Sequence, residues 1–151
     1  MTKQRIISSN HLSETLSELL REIEHDRLFI LTDEHTAKLC YPLIDKVAGG
    51  AHHITIPAGD DNKHINTLCH VWEELSSHSA TRHSLLINVG GGMVTDLGGF
   101  AAATYKRGIH YINMPTTLLA MVDAAVGGKT GIKLHSLKNE IGAFCPADAV
   151  V

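Results

Sequence analysis

The sequence lacks the features that mark secreted and membrane proteins. Its three cysteines, Cys40, Cys69 and Cys145, lie far apart, which excludes a disulfide framework and a CxxC metal site. No apolar run approaches the ~20 residues of a membrane span. The N-terminal segment MTKQRIISSN lacks the apolar core of a signal peptide. We therefore expect a cytoplasmic protein in a reducing compartment, with no membrane partner.

Positive charge is also scarce in this chain. Lys and Arg number 13 against 16 Asp and Glu, which gives a formal net charge of −3. This balance argues against a nucleic-acid partner, because such proteins carry a basic face. Hydrophobic residues make up 44% and charged residues 19% of the chain, as in ordinary folded domains. The length of 151 residues fits a single domain.

Short apolar runs alternate with amphipathic stretches along the chain. The runs predict strands at 5–8, 28–32, 53–56, 84–89, 111–114 and from 149 onward. Apolar residues at helical spacing predict helices within 12–23, 39–47, 65–75, 92–103 and 116–126, the first capped by Ser9 or Asn10. The glycine-rich stretch after residue 126 suggests no regular element before residue 149. This order predicts a Rossmann-like α/β domain over residues 1–151, with a mostly parallel sheet flanked by helices.

A run of three glycines, Gly90-Gly91-Gly92, lies between a predicted buried strand and a predicted helix. Glycines allow a sharp turn and a close ligand approach, and the free N–H groups of a helix start attract phosphate. Asp96 lies in the first turn of that helix, where it suits a cap or a sugar hydroxyl. A tight packing turn is the alternative, and the GxGxxG dinucleotide fingerprint is absent.

A second group of polar residues, Arg107, Asp123, Lys129 and Lys138, lies in a segment rich in small residues. Residues 87–144 hold 10 of the 13 glycines, so few of their neighbours suit a plain solvated face. Lys and Arg bind phosphate in such settings, although ordinary surface charge is the alternative. The stretch around Lys129 is not a P-loop, since Asp123 occupies the position that the first glycine of that motif requires.

The 11 histidines are spread along the whole chain. None forms an HExxH motif or a paired spacing with carboxylates, so we interpret them as surface residues and expect no metal ligands in this chain. Cys145 has no base indicated nearby and is not proposed as a nucleophile.

Three long motifs occur in order: GGGMVTDLGGFAAATYKRG at 90–108, INMPTTLLAMVDAAVGGKTG at 112–131 and LKNEIGAF at 137–144. With them, residues 87–151 strongly resemble the 3-dehydroquinate synthases of the sugar-phosphate cyclase superfamily. The N-terminal likeness is weaker and depends on Asp33 and on PAGDDNK at 57–63. Members of this family are more than twice as long as this chain, so the resemblance implies that a helical C-terminal domain is missing.

The resemblance implies an NAD-dependent carbon–oxygen lyase of the shikimate pathway. Its substrate would be the phosphosugar 3-deoxy-D-arabino-heptulosonate 7-phosphate, and its products 3-dehydroquinate and phosphate. NAD would accept and return a hydride around phosphate elimination, before an aldol ring closure. A divalent zinc or cobalt ion would be held by ligands outside this chain. The family also implies a homodimer, and the chain alone is expected to be inactive.

Family roles carry over to individual residues. Asp33 resembles the acidic group near the adenosine ribose. The other positions that resemble NAD contacts are Asp60, Asp61, Lys63, Gly91, Gly92, Met93, Val94, Thr95, Asp96, Thr116 and Thr117. The residues that resemble the nicotinamide and substrate end are Asp123, Lys129, Lys138 and Asn139. Arg107 resembles an arginine that reaches a substrate phosphate, often across a dimer interface.

Several residues depart from the family pattern. Asp60 stands for Glu, Thr95 for Gly, and Lys133 and Leu137 for Asn and Gly. Ala124 and Ala125 replace small hydroxyl residues. Two alternatives therefore stay open: another sugar-phosphate cyclase, such as 2-deoxy-scyllo-inosose synthase, and a nucleotide-binding module without catalysis. Metal-dependent glycerol dehydrogenases fit the motifs less well.

Overall fold

A computed structural model describes residues 4–151, apart from the side chain of Asn139. The helices are α1 (Leu12–Glu22), α2 (Glu34–Leu39), α3 (Ile65–Ser77) and α4 (Gly92–Thr104). The strands are β1 (Arg5–Ile6), β2 (Leu28–Asp33), β3 (His52–Ile56), β4 (Leu85–Gly90), β5 (His110–Pro115), β6 (Lys129–Leu134), β7 (Leu137–Phe144) and β8 (Ala149–Val150). Within residues 4–151, no helix is both long enough and apolar enough to cross a membrane.

Six strands form one parallel sheet in the order β1-β8-β5-β4-β2-β3. This confirms the predicted Rossmann-like fold. Both faces of the sheet are covered, which is why the strands read as apolar runs and not as alternations. In β2, Phe29 and Leu31 pack with α3 and α4 on one face, whereas Ile30 packs with α1 on the other. The result is a three-layer α/β arrangement with a core on each side of the sheet.

The predicted helices hold in part. The helix expected across 39–47 is wrong: α2 ends at Leu39, and a 3₁₀ turn at Tyr41–Leu43 follows. Pro42 lies in that turn. A helix does not continue through it, because the proline ring fixes φ and leaves no N–H to donate. The cap of α1 is His11, although Ser9 Oγ accepts a hydrogen bond from the His11 N–H. After β5, the predicted helix is reduced to a short helical segment with a π-helical turn at Ala120–Ala124.

The glycine-rich stretch holds an element that the sequence did not indicate. β6 and β7 pair as an antiparallel hairpin, separate from the main sheet. It packs across α4, where a Cβ on Gly99 would lie 2.6 Å from Thr130 Cγ2. Gly128 leads into the hairpin at φ 73°, and a Cβ there would lie 2.6 Å from the Pro146 nitrogen. Only glycine combines that conformation with such close backbone packing.

A buried amide pair connects the sheet to the segment after β5. Asn88 on β4 donates a hydrogen bond to Asn113 Oδ1 on β5 at 3.0 Å, and Asn113 donates to the Ala125 carbonyl at 3.3 Å. From the other side, the Gln4 amide nitrogen donates to the same carbonyl, and its oxygen accepts from the Gly127 N–H. These bonds fix the π-helical turn, and with it Asp123, against the end of the sheet.

Candidate functional site

Loops from four neighbouring strands meet at the carboxyl edge of the sheet. Asp33 ends β2 in register with Ile56 at the end of β3, and Gly90 ends β4 in register with Pro115 at the end of β5. The β2 and β4 strands are adjacent. They lead into α2 and α4, which pack on opposite faces of the sheet. This is the topological switch point at which parallel α/β sheets bind ligands.

The glycine turn leads directly into α4, whose first turn is left open. No side chain caps this helix, and the Thr95 N–H is bonded to the Gly91 carbonyl, so the N–H groups before it have no partner within the helix. A Cβ on Gly91 would lie 3.2 Å from Thr117 Cγ2, and one on Gly92 would lie 3.3 Å from the Ala124 Cβ. The small residues thus keep a narrow approach to a helix start that suits an anion.

Lys63 and Asp96 form an ion pair beside that helix start. Lys63 Nζ donates to Asp96 Oδ2 at 2.9 Å, and their side chains are 16% and 23% exposed. Burial raises the pKa of Asp96, and Lys63 opposes that rise. The carboxylates of Asp123 and Asp60 also raise the pKa of Asp96, which places all these charges in one electrostatic neighbourhood. Lys63 is therefore the cation that favours the ionised form of this half-buried carboxyl.

The loop at 57–63 is attached to the hairpin. Lys133 Nζ lies 2.5 Å from Asp60 Oδ2 and 3.7 Å from Asp61 Oδ1, and the Lys133 N–H donates to the Lys63 carbonyl at 2.7 Å. Lys138 Nζ lies 3.6 Å from the same Asp60 oxygen. The hydrogen bond from Lys133 lowers the pKa of Asp60, and Asp60 raises the pKa of Lys133. These contacts bring Lys63 to the mouth of the cleft.

An open cleft of about 620 Å³ lies between α4, the π-helical turn and the hairpin. Its charged lining side chains are Lys63, Asp96, Asp123, Lys129 and Glu140. Exposed apolar side chains border it: Leu118 is 76% exposed and Phe144 is 82% exposed. The cleft therefore combines two ammonium groups, three carboxyl groups and an apolar rim in one place.

The structure gathers most, but not all, of the predicted site residues at this edge. Lys63, Asp96, Asp123 and Lys129 line the cleft, and Thr116 and Thr117 follow β5 beside the glycine turn. Gly91, Gly92 and Met93 form the start of α4. Val94 and Thr95 are 0% and 1% exposed, so their backbone, not their side chains, faces the helix start.

Four predicted residues lie elsewhere or act otherwise. Asp33 is at the correct edge, but its carboxylate caps α2 by accepting from the His35 and Thr36 N–H groups. Arg107 follows α4 at the amino edge of the sheet, away from the cleft. Asp61 points to solvent with a 106% exposed side chain. Asn139 lies in β7, but its side chain is outside the described residues.

Two charged residues near the cleft were not predicted from the sequence. Glu140 lines the cleft from β7, and Lys133 connects the hairpin to Asp60. The sequence did carry a signal for Lys133, because this lysine departs from the asparagine of the family pattern. Asp60, which it contacts, likewise departs from the family's glutamate. The missing information was the hairpin, which brings the two positions together.

Comparisons with known proteins show the family to which this chain belongs. Residues 53–151 match the model of the family described as 3-dehydroquinate synthase N-terminal. The chain belongs to the 3-dehydroquinate synthase family. A 3-dehydroquinate synthase from Parabacteroides distasonis is 49% identical over 148 residues, which cover 97% of this chain and 42% of the relative. One from Pyrococcus abyssi is 44% identical over 131 residues, covering 86% of this chain and 39% of the relative.

Solved structures of related cyclases share the fold. A 2-deoxy-scyllo-inosose synthase complexed with carbaglucose-6-phosphate, NAD+ and Co2+ superposes with a TM-score of 0.88 at 26% identity, covering 96% of this chain and 41% of the other. The 2-epi-5-epi-valiolone synthase of Streptomyces hygroscopicus subsp. jinggangensis, with NAD+ and Zn2+ bound, gives 0.87 at 26% identity, with 99% and 42% covered. The chain thus spans about two-fifths of the length of these family members.

Proposed function

We propose that this chain supplies the NAD-binding half of a 3-dehydroquinate synthase. The observation that carries the proposal is the convergence, in one cleft, of an uncapped glycine-led helix start, the Lys63–Asp96 ion pair and Lys129. The 49% identity to a curated 3-dehydroquinate synthase supports this reaction over those of other cyclases. The whole reaction, from the heptulosonate phosphate to 3-dehydroquinate and phosphate, belongs to the complete enzyme.

The residues present fit a dinucleotide. The free N–H groups at the start of α4 suit a pyrophosphate, since the helix dipole and unpaired donors both favour negative charge. Asp96 suits a ribose hydroxyl, because Lys63 favours the ionised form of its carboxyl, which accepts hydrogen bonds. Thr116 and Thr117 add hydroxyl groups next to the glycine turn. When bound, NAD would supply a hydride acceptor and donor for one carbon of the substrate.

The substrate end of the cleft follows from Asp123 and Lys129. The Lys129 ammonium would stabilise negative charge that develops on a substrate oxygen or on the departing phosphate. The Asp123 carboxylate would accept a hydrogen bond from a substrate hydroxyl and fix its orientation. Lys138, whose ammonium lies 3.6 Å from Asp60 Oδ2, would contribute a further positive charge near the loop at 57–63. Arg107, at the opposite edge, would act only in the site of a neighbouring subunit in a homodimer.

The metal ion of the reaction would need ligands beyond those in the cleft. The Asp96 carboxyl group already pairs with Lys63. Both Asp96 and Asp123 are also assigned to the proposed hydroxyl contacts, so neither is left for a metal ion. No set of three histidine, cysteine or carboxylate donors converges there among the described side chains. The exposed Leu118, Leu119 and Phe144 beside the cleft suit a covering domain, so we expect zinc or cobalt ligands to come from such a domain. The chain alone would then be inactive.

Nucleotide binding can be tested on this 151-residue protein directly. Isothermal titration with NAD should give one site per chain. Lys63→Met should weaken binding by about 10-fold or more, because hydrogen bonds to charged groups are worth roughly 1.5–3 kcal/mol. The exposed Lys38, at the end of α2, provides a matched control: Lys38→Met should leave the affinity unchanged. Equal NAD affinity in Lys63→Met and the unaltered chain would contradict the proposed site.

Catalysis requires a longer polypeptide. Fusing this chain to the remaining C-terminal part of the Parabacteroides distasonis relative should give an enzyme that releases phosphate from the heptulosonate phosphate with NAD and Zn²⁺. Lys129→Ala in the fusion should lower the rate by at least ~100-fold, the usual cost of losing an oxyanion-stabilising group. Phosphate release by the 151-residue chain alone would refute its predicted inactivity.

A second cyclase activity remains the competing proposal. The superposition with 2-deoxy-scyllo-inosose synthase, at a TM-score of 0.88, favours it, but the identity is 26% against 49% for the curated relative. A nucleotide-binding module without catalysis is the other alternative. Genetic complementation distinguishes the proposed reaction from both alternatives. A strain that lacks 3-dehydroquinate synthase and expresses only the C-terminal part of the relative should grow without aromatic amino acids only when this chain restores the missing half.

A further inference from the structure

The amino edge of the sheet carries a cluster of metal-type donors that the proposed function does not use. His52 is the first residue of β3, Glu74 lies in the last turn of α3, and His78 ends that helix. The helix returns antiparallel to the strand, so its C-terminus meets the start of β3. The ligand atoms of the three side chains lie within 4.8 Å of one another.

His52 directs a ring nitrogen at the Glu74 carboxylate, whereas His78 Nδ1 lies 3.0 Å from the Glu74 backbone carbonyl oxygen. His52 Nε2 lies 2.7 Å and His78 Nδ1 lies 3.9 Å from Glu74 Oε2. The two rings stack with centroids 3.4 Å apart and planes 20° apart. The hydrogen bond from His52 lowers the pKa of Glu74.

We propose that His52, Glu74 and His78 bind a divalent transition-metal ion of the Zn²⁺ type. Two imidazoles and one carboxylate are a donor set that Zn²⁺ prefers. Tetrahedral Zn²⁺ with bonds near 2.1 Å requires donor atoms about 3.4 Å apart. The observed separations of 2.7 and 3.9 Å bracket that value. To bind the ion, His78 would exchange its contact with the Glu74 carbonyl oxygen for a metal bond. Exposures of 28%, 30% and 43% for His52, Glu74 and His78 leave the ion a path from solvent.

A groove provides room for a fourth ligand. His52 and His78 line an open groove of about 790 Å³, together with His25 and Asp26. A water molecule from this groove would complete the coordination. The site lies at the amino ends of the strands, whereas the candidate nucleotide cleft lies at their carboxyl ends.

Metal binding should tie the end of α3 to β3. The ion would replace a hydrogen bond between partly exposed groups by three coordinate bonds, and it would bind the folded chain in preference to the unfolded one. Affinity should fall as the pH drops below ~6.5, because protonated imidazole cannot coordinate. The Glu74-x₃-His78 spacing places both side chains on one helix face, and this was the sequence signal that a search for HExxH passed over.

The test is a Zn²⁺ titration of this 151-residue protein in competition with a chromophoric chelator. One Zn²⁺ per chain should bind, and Co²⁺ should give the intense visible absorption of a four-coordinate site. His52→Ala and His78→Ala should each weaken binding by at least ~10-fold, since even outer-shell changes cost that much. Glu74→Gln, which keeps the size and the His52 hydrogen bond, should do the same. His35→Ala, an exposed histidine at the opposite edge, is the matched control.

Each outcome decides the proposal. A midpoint of thermal unfolding that rises with Zn²⁺ in the unaltered chain and in His35→Ala, but not in Glu74→Gln, supports the site. Equal Zn²⁺ affinity in the unaltered chain and all three cluster variants overturns it and assigns the binding to dispersed surface histidines. Octahedral Co²⁺ absorption alone also overturns it. Because Glu74→Gln preserves shape, its result holds even where a histidine variant fails to fold, as far-UV circular dichroism would reveal.

Discussion

Replacing Gly98 by alanine should destabilise the protein despite the better helix propensity of alanine. A Cβ at this position of α4 would lie 2.0 Å from Asn88 Oδ1 and 2.8 Å from Leu31 Cδ2. Asn88 cannot swing away freely, because it is fully buried and donates to Asn113. Overpacking costs roughly 1–3 kcal/mol, and a displaced buried amide costs about 1–3 kcal/mol more. Alanine returns only about 1 kcal/mol of helix propensity, so we expect a net loss of about 1–5 kcal/mol.

Urea unfolding followed by circular dichroism at 222 nm measures this loss. Gly49→Ala is the matched control, since a Cβ there meets only the Lys46 carbonyl oxygen at 3.6 Å, and its effect should stay within about 0.5 kcal/mol. The double variant with Asn88→Ala should show a coupling of about 1 kcal/mol or more, because removing the amide makes room for the new methyl group. A Gly98→Ala protein as stable as the unaltered chain would refute the packing argument.

Three further predictions concern the site and its hairpin. Lys63→Met should raise the pKa of Asp96 further, because burial then acts unopposed; carboxyl titration by NMR would detect the rise, and an unchanged midpoint would contradict it. Lys133 lowers the pKa of Asp60 below its unfolded value, so the stability from this pair is present above the unfolded pKa near ~3.9 and is lost as pH falls through the lower folded pKa. Lys133→Met should therefore be less stable than the unaltered chain at pH 6, and the difference should shrink as the pH falls below ~3.9, as pH-dependent urea midpoints would reveal. Gly128→Ala should cost at least about 2 kcal/mol in urea unfolding, since φ is 73° and the next backbone segment lies within 3 Å; a smaller loss would argue that the turn can relax.

The order of strands and helices was predictable because the chain segregates its apolar residues strongly. Leu28–Asp33 and Leu85–Gly90 are buried on both faces, so their apolar runs have the length of strands and no helical period. Asp33 ends β2 and caps α2 through a capping box with Thr36, which is a local signal. A strand that is buried on both faces of a parallel sheet is recognisable from its own apolar run, whatever elements pack against it.

The hairpin was not predictable in the same way. β6 and β7 are short on β-branched and aromatic residues and contain Gly131 and Gly142 at paired positions. A Cβ on Gly142 would lie 2.1 Å from the Thr130 carbonyl oxygen, so these glycines serve close strand contact and not flexibility. Local sequence cannot distinguish a glycine that allows flexibility from one that allows close packing, because the backbone that requires the close packing belongs to the opposite strand.

The candidate site shows the same division between local and long-range information. The glycine turn and Asp96 belong to one strand–helix unit, and local spacing was enough to place them together. Lys63 reaches Asp96 over 33 positions of sequence, and Lys133 reaches Asp60 only because the hairpin folds back over α4. An aspartate side chain is one methylene shorter than glutamate, and Lys133 meets the shorter chain at 2.5 Å. The two departures from the family pattern, which looked independent along the sequence, therefore form one contact that holds the loop at 57–63 against the hairpin.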